Sequence, residues 1–146
     1  MASAGIKAMA ERGIKSRLSN EIKVAQKSGR VLSIVSGGGI SLSPGKVAVT
    51  FKATQRHSRL TLVSMIAPSP DWFVGTDSFP LCSNKRWIKN VSVPLYVYDS
   101  GTDDGKNYDS PDKPAKRPQR IYKITSSPFK VNGKVKPIGL FKITKQ

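Results

Sequence analysis

Apolar side chains between residues 4 and 28 recur at helical spacing. Ile6, Met9, Ala10 and Ile14 form one set and Leu18, Ile22 and Ala25 a second. Gly13 breaks the pattern, which is expected to restart behind Ser19 or Asn20, either of which can cap a helix. The spacing predicts two short helices that end near Ser28-Gly29. Beyond Gly29 the apolar period shortens from about 3.6 to about 2, the repeat of a strand with one buried face. Val31-Leu32-Ser33-Ile34-Val35 reads as a strand, and so does the stretch in which Val47, Val49 and Phe51 alternate with Ala48, Thr50 and Lys52. Leu60-Thr61-Leu62-Val63-Ser64-Met65-Ile66 is apolar and β-branched and is closed by Pro68 and Pro70. Val91, Val93, Leu95 and Val97 mark one face of a longer strand, and the runs 121–125 and 138–144 complete the set. Strands separated by turn signals behind a helical segment predict a mainly β fold, a β-sandwich with a short N-terminal helical segment. The expected organisation is one domain over 1–146, with residues 1–29 helical and 30–146 the sandwich.

Composition changes this picture in two respects. At 146 residues the chain suits one buried core, and its 38% hydrophobic content is enough to fill it. No run approaches the roughly 18 apolar residues of a membrane span, and the first residues lack the apolar stretch of a secretory signal. The second respect is charge. Lysine and arginine number 25 against 9 carboxylates, a net charge of +16, and this points to a polyanionic partner. The carboxylates are not spread evenly. Asp71, Asp77, Asp99, Asp103, Asp104, Asp109 and Asp112 all fall between residues 71 and 112, which predicts an acidic pole on a basic body.

The densest acidic run is Asp99-Ser100-Gly101-Thr102-Asp103-Asp104-Gly105, directly behind a predicted strand. Its carboxylates, with backbone carbonyls folded tightly by glycine, are the oxygen donors that a hard cation such as calcium prefers. Asp-Gly turns also serve as plain solvent loops, and the twelve-residue helix-loop-helix spacing is missing. Other candidates are weaker. Gly37-Gly38-Gly39 with Ser43-Pro44-Gly45-Lys46 lacks the spacing of a phosphate-cradling loop and is followed by a strand pattern. His57, the sole histidine, stands between Arg56 and Arg59 with no carboxylate marked to orient it, which argues against a base. Cys82 is the only cysteine, so an internal disulfide and every multi-cysteine zinc site are excluded.

Lys113-Pro114-Ala115-Lys116-Arg117-Pro118-Gln119-Arg120 packs Lys113, Lys116, Arg117 and Arg120 onto a proline-stiffened segment. It reads as an exposed arm for a polyanion. A specific nucleic-acid partner is not expected, because the aromatics sit in apolar strands and the acidic region rather than interleaved with these cations. Asn90-Val91-Ser92 satisfies the N-glycosylation sequon and makes Asn90 a candidate acceptor.

One long stretch is specific enough to compare with a family. It runs from Arg56-His57-Ser58-Arg59 through Pro68-Ser69-Pro70-Asp71-Trp72-Phe73-Val74-Gly75, then Leu81-Cys82 and Trp87, to Tyr98-Asp99-Ser100-Gly101-Thr102-Asp103 and Tyr108-Asp109-Ser110-Pro111. It resembles the spondin domain family, and the likeness extends weakly to Pro137-Ile138. The resemblance implies a β-sandwich with calcium at one end, in non-enzymatic adhesion proteins of the extracellular matrix. It places the metal-binding aspartates on Asp71, Asp99 and Asp103. Asp104 stands where relatives usually carry a small polar residue. The usual disulfide cannot form with Cys82 alone. An upstream segment with an opening strand is missing, so a sheet edge is expected to be uncovered, or completed by self-assembly or a partner protein. The expected role is that of a secreted, calcium-stabilised module binding a polyanionic matrix: sulfated glycan, cell surface, or an acidic mineral such as silica. The alternative is a secreted cationic effector or pattern-recognition protein acting on anionic membranes or microbial surfaces.

Overall fold

The computed structural model describes residues 1–146 and opens with two helices, α1 (Ala4–Arg12) and α2 (Lys15–Lys27). Ser3 caps α1, its hydroxyl accepting from the Ile6 N–H at 3.1 Å. Gly13 ends it in the left-handed conformation (φ 65°), donating its N–H to the Ala8 and Met9 carbonyls, a conformation that glycine adopts without steric cost. The chain re-enters a helix at once, with Ile14 at the N-cap and no side-chain cap. The second helix therefore does not wait for Ser19 or Asn20, both of which lie inside it. Packing explains the difference: Leu18 joins the apolar cluster under α1, and contact with a neighbour outweighs capping preference. Glu21 ties the helices together. Its carboxylate accepts from the Gly5 N–H and the Ser3 hydroxyl, each at 2.6 Å, satisfying a free donor at the start of α1.

The strands follow as β1 (Arg59–Met65), β2 (Trp72–Pro80), β3 (Cys82–Ser83), β4 (Arg86–Trp87), β5 (Asn90–Leu95), β6 (Val97–Asp99), β7 (Tyr122–Lys123), β8 (Lys130–Val131), β9 (Lys134–Val135) and β10 (Gly139–Thr144). Four of them make an antiparallel sheet in the order β1-β2-β6-β7, and β10 pairs antiparallel with β5 in a second. The period of two assigns the faces of the larger sheet. Trp72, Val74 and Val97 point to one side, where Leu95, Ile124, Phe129, Leu62 and Phe141 close the main core against β5 and β10. Phe73, Val63, Met65 and Tyr98 point to the other, against Met9, Ala10 and Ile6 of α1. The molecule is thus layered as helices, four-stranded sheet and two-stranded sheet. No helix is long and apolar enough to cross a membrane.

Several expected strands stand where the pattern placed them: β1 covers 60–65 of the run 60–66, 121–125 contains β7, and β10 covers 139–144 of the run 138–144. The long strand expected over 91–97 is divided. The chain leaves the smaller sheet after Leu95 and enters the larger one at Val97, while the alternation continues into the same core. The runs 31–35 and 47–51 correct the reading, since neither forms a strand. They carry a strand's side-chain pattern but have no ladder partner, and the ladder is what makes a strand. β2 was not anticipated. Trp72, Phe73 and Val74 are buried on both faces, and Gly75-Thr76-Asp77-Ser78 follows, so no alternation marks it. Phe73 is 5% exposed and joins the sheet to the helical layer. Phe73→Ala should cost about 3–5 kcal/mol in urea unfolding; a loss under about 1 kcal/mol would show that the helices do not depend on this contact.

Candidate functional site

The β2–β6 register sets the site. Trp72 faces Asp99 across the ladder, so Asp71 before β2 and Ser100 after β6 meet at one end of the sheet. The Ser100 N–H donates to the Asp71 carbonyl at 3.2 Å. The Asp71 side chain is wholly buried, and its Oδ2 accepts from the Thr102 N–H (2.7 Å), the Ser100 hydroxyl (2.8 Å), the Asp103 N–H (3.1 Å) and the Thr102 hydroxyl (3.2 Å). A single carboxylate oxygen therefore shapes the turn after β6. Gly101 is required within it. Its φ is 73°, and a Cβ there would meet the Gln119 carbonyl oxygen at 2.6 Å.

Asp99 and Asp103 are also buried and also committed to protein donors. Asp99 accepts from the Gly101 N–H at 2.7 Å and, through its other oxygen, from the Tyr122 hydroxyl at 2.9 Å. Asp103 accepts from the Gly105 and Lys113 N–H groups, both at 2.7 Å. Burial pushes the Asp99 carboxyl above the usual carboxylate range, and the charge of Asp71 adds to this, while the Gly101 N–H and the Tyr122 hydroxyl pull it partly back. Burial and the hydrogen bond to Asp99 push Tyr122 up to about 12.

These facts bear on a cation in two ways. No three carboxylate, imidazole or thiol groups converge as a ready-made cage, because Asp103 turns both oxygens to backbone donors. Yet Asp71 Oδ1 is buried with no hydrogen-bond partner, and the carboxylates of Asp71 and Asp99 repel each other. An uncompensated buried carboxylate oxygen beside a second carboxylate is costly, and a hard cation accepting their lone pairs would remove that cost. The donor set at Asp71 and Asp99 fits such an ion. Asp104 is exposed and holds the loop only through its backbone N–H, which donates to the Lys113 carbonyl at 2.8 Å.

The basic segment is fastened to this same loop. The Ala115 N–H donates to the Thr102 carbonyl and the Gln119 N–H to the Gly101 carbonyl, at 3.0 and 2.8 Å, and Asp103 bridges to Pro114. Lys113, Lys116, Arg117 and Arg120 are exposed, and none makes an ion pair. Asn90 is exposed at the start of β5. His57 is a fastening, its two ring nitrogens lying against the Gly29 carbonyl (2.9 Å) and the Thr54 hydroxyl (3.3 Å). Cys82 is half-buried in β3 and makes no disulfide. Tyr122 was not anticipated as a site residue. Only the β6–β7 pairing sets it opposite Asp99, and no local motif announces a partner so far along the chain.

A small antiparallel β module, with helices on one face and an oxygen-rich aspartate turn at one end, is the class that fold and site define. The family model described as Spondin_N matches residues 1–134. The chain belongs to the spondin N-terminal domain family. Spondin-2 of Homo sapiens is 36% identical over 126 residues, covering 86% of this chain and 38% of that protein. Spondin-1 of Rattus norvegicus is 33% identical over 140 residues, covering 88% of this chain and 17% of that protein. The chain thus spans well under half the length of these relatives.

Asp71→Ala removes the acceptor of two buried backbone donors and should destabilise the domain by about 3 kcal/mol or more, whereas Tyr122→Phe, at a half-exposed hydroxyl, should cost about 1 kcal/mol. Equal losses in chemical denaturation would show that the turn is not organised by Asp71.

Proposed function

We propose that the domain is a non-catalytic adhesion module of the extracellular matrix, which binds polyanions through its basic segment and is stabilised by calcium at its aspartate turn. The observation that carries the reading is the pinning of residues 113–119 to the loop after β6 while Lys113, Lys116, Arg117 and Arg120 stay exposed and unpaired. The backbone cannot retreat, so the cations are held out at little cost in segment entropy when a ligand arrives. Sulfated glycan is the ligand class that this arrangement suits best, with an anionic cell surface or acidic mineral presenting the same chemistry. Membership of the spondin family supports the matrix setting and an extracellular home.

Calcium would supply positive charge against the buried aspartates. Of the three aspartates that the family likeness marks, Asp71 and Asp99 are the residues whose oxygens would hold it, since both oxygens of Asp103 are taken by backbone N–H groups. Asp71 also orders the turn by accepting the Thr102 and Asp103 N–H groups, and Asp103 secures the basic segment through the Lys113 N–H. A second reading has its own support. α2 buries no residue, and Val24 within it and Ile14 at its N-cap are exposed along with Lys15, Arg17, Lys23 and Lys27, a surface suited to anionic membranes.

Two measurements test these readings. Neutralising Lys113, Lys116, Arg117 and Arg120 together should lower the salt at which the domain leaves a heparin column and reduce the slope of log affinity against log salt by about one per lost contact, without changing Tm. Elution unchanged from the parent would move the ligand surface elsewhere, and leakage of anionic vesicles at the same protein concentration would favour the membrane reading. Millimolar calcium should raise Tm relative to chelator, since a ligand bound only by the native state stabilises it. Identical melts would remove calcium from the account.

A further inference from the structure

The Asn90-Val91-Ser92 sequon belongs to neither the aspartate turn nor the basic segment. Among Asn20, Asn84, Asn90, Asn107 and Asn132, only Asn90 stands two residues before a serine or threonine, and the residue between is not proline. The sheet turns this motif outward. Asn90 opens β5 and pairs with Thr144 of β10, and Ser92 pairs with Lys142. A strand's period of two puts Val91, Val93 and Leu95 on the inner face, with Leu95 in the main core, and Asn90, Ser92 and Pro94 on the outer one. Asn90 and Ser92 are both exposed, and so are Thr144 and Lys142 opposite them. Only the backbones of Asn90 and Ser92 take part in the sheet, which leaves the amide and the hydroxyl standing together on an open face.

Position matters as much as exposure. The Ile88 N–H donates to the Leu81 carbonyl at 2.9 Å, so β5 starts beside the Pro80 end of β2. The aspartate turn and the segment fastened to it lie at the Trp72 end. β2 has nine residues, which sets its two ends about 25 Å apart. We propose that Asn90 carries an N-linked glycan, held on the outer face of β5 and β10 and remote from the polyanion-binding cations. The inference rests on the extracellular reading, because the donor, an oligosaccharide on a lipid diphosphate, is met in the secretory pathway. In the transfer a bond forms between the Asn90 side-chain nitrogen and the anomeric carbon of the first sugar. The bond from that carbon to the diphosphate oxygen breaks, the lipid diphosphate leaves with the bonding pair, and one amide proton passes to a base of the transferase. The glycan then stands on the face that also carries Pro94 and Leu140, the latter 57% exposed, and it adds a bulky polar cover there while residues 113–120 stay open.

The test produces the whole chain behind a secretory leader in animal cells and reads intact mass before and after peptide N-glycosidase, which converts a glycosylated asparagine to aspartate. Most of the secreted protein should lose mass, with the conversion at residue 90. Ser92→Ala should abolish the loss although Asn90 is untouched, and Ser92→Thr should keep it. The sugar is added before folding is complete, so the cell-retained fraction answers the same question for any variant that is not secreted. Unmodified Asn90 in both the parent chain and Ser92→Thr would overturn the assignment, and a mass loss that survives Ser92→Ala would move the sugar off the sequon. Glycosylated and enzymatically stripped protein should leave a heparin column at the same salt; earlier elution of the glycosylated form would contradict a site remote from the basic segment. Unmodified Asn90 with heparin binding intact would retract the glycan alone, and a glycan on a domain that ignores heparin would retract polyanion binding alone.

Discussion

The buried carboxylate of Asp71 is the constraint on which the functional end of this domain depends. It sits at the entry to β2, and β2 is one of the two inner strands of the larger sheet, flanked by β1 and β6. From that position Oδ2 gathers Ser100, Thr102 and Asp103, so the turn after β6 is built onto the sheet rather than hung from it. The turn in turn holds the basic segment by backbone bonds from residues 101–104. Acidic interior and cationic surface are thereby one construction. The remaining oxygen of Asp71 has no donor, and Asp99 stands close enough to be disfavoured as an anion. A cation at that point would relieve the cost of burying this negative charge.

β2 holds the layers together as well as the site. Trp72 and Phe73 are neighbours in sequence on opposite faces of one strand. Trp72 packs edge-on to Tyr108 and Phe129, ring centroids 5.2 Å apart, beneath the aspartate turn. Phe73 stacks with Tyr98 under the helices. Disturbance of this strand is therefore felt in both cores and in the site.

What the sequence disclosed follows from where periodic patterns end and pairing begins. The helices were legible from Ile6, Met9, Leu18 and Ile22 at helical spacing, and Ile6, Met9 and Leu18 turn toward the sheet. Asp71, Asp99 and Asp103 stood out from their clustering and from the family likeness, and the structure buries all three near the turn after β6, with both oxygens of Asp103 taken by backbone N–H groups. β2 was illegible because a strand buried on both faces shows no alternation. The runs 31–35 and 47–51 misled for the opposite reason: their alternation is clear, but alternation reports only a side-chain pattern, and their backbones find no partner within the chain. Tyr122 was hidden because strand pairing, not local sequence, sets it beside Asp99.

This domain thus couples a spatially fixed acidic turn to a display of unpaired cations, and the coupling runs through backbone amides. The most direct check is native-state hydrogen exchange at the Thr102 and Asp103 amides, the two N–H groups that donate to Asp71. Organisation of the site by Asp71 predicts that both exchange as slowly as the amides of the β2–β6 ladder, opening only with the sheet. Exchange at the rate of an exposed loop, with the ladder still protected, would contradict it.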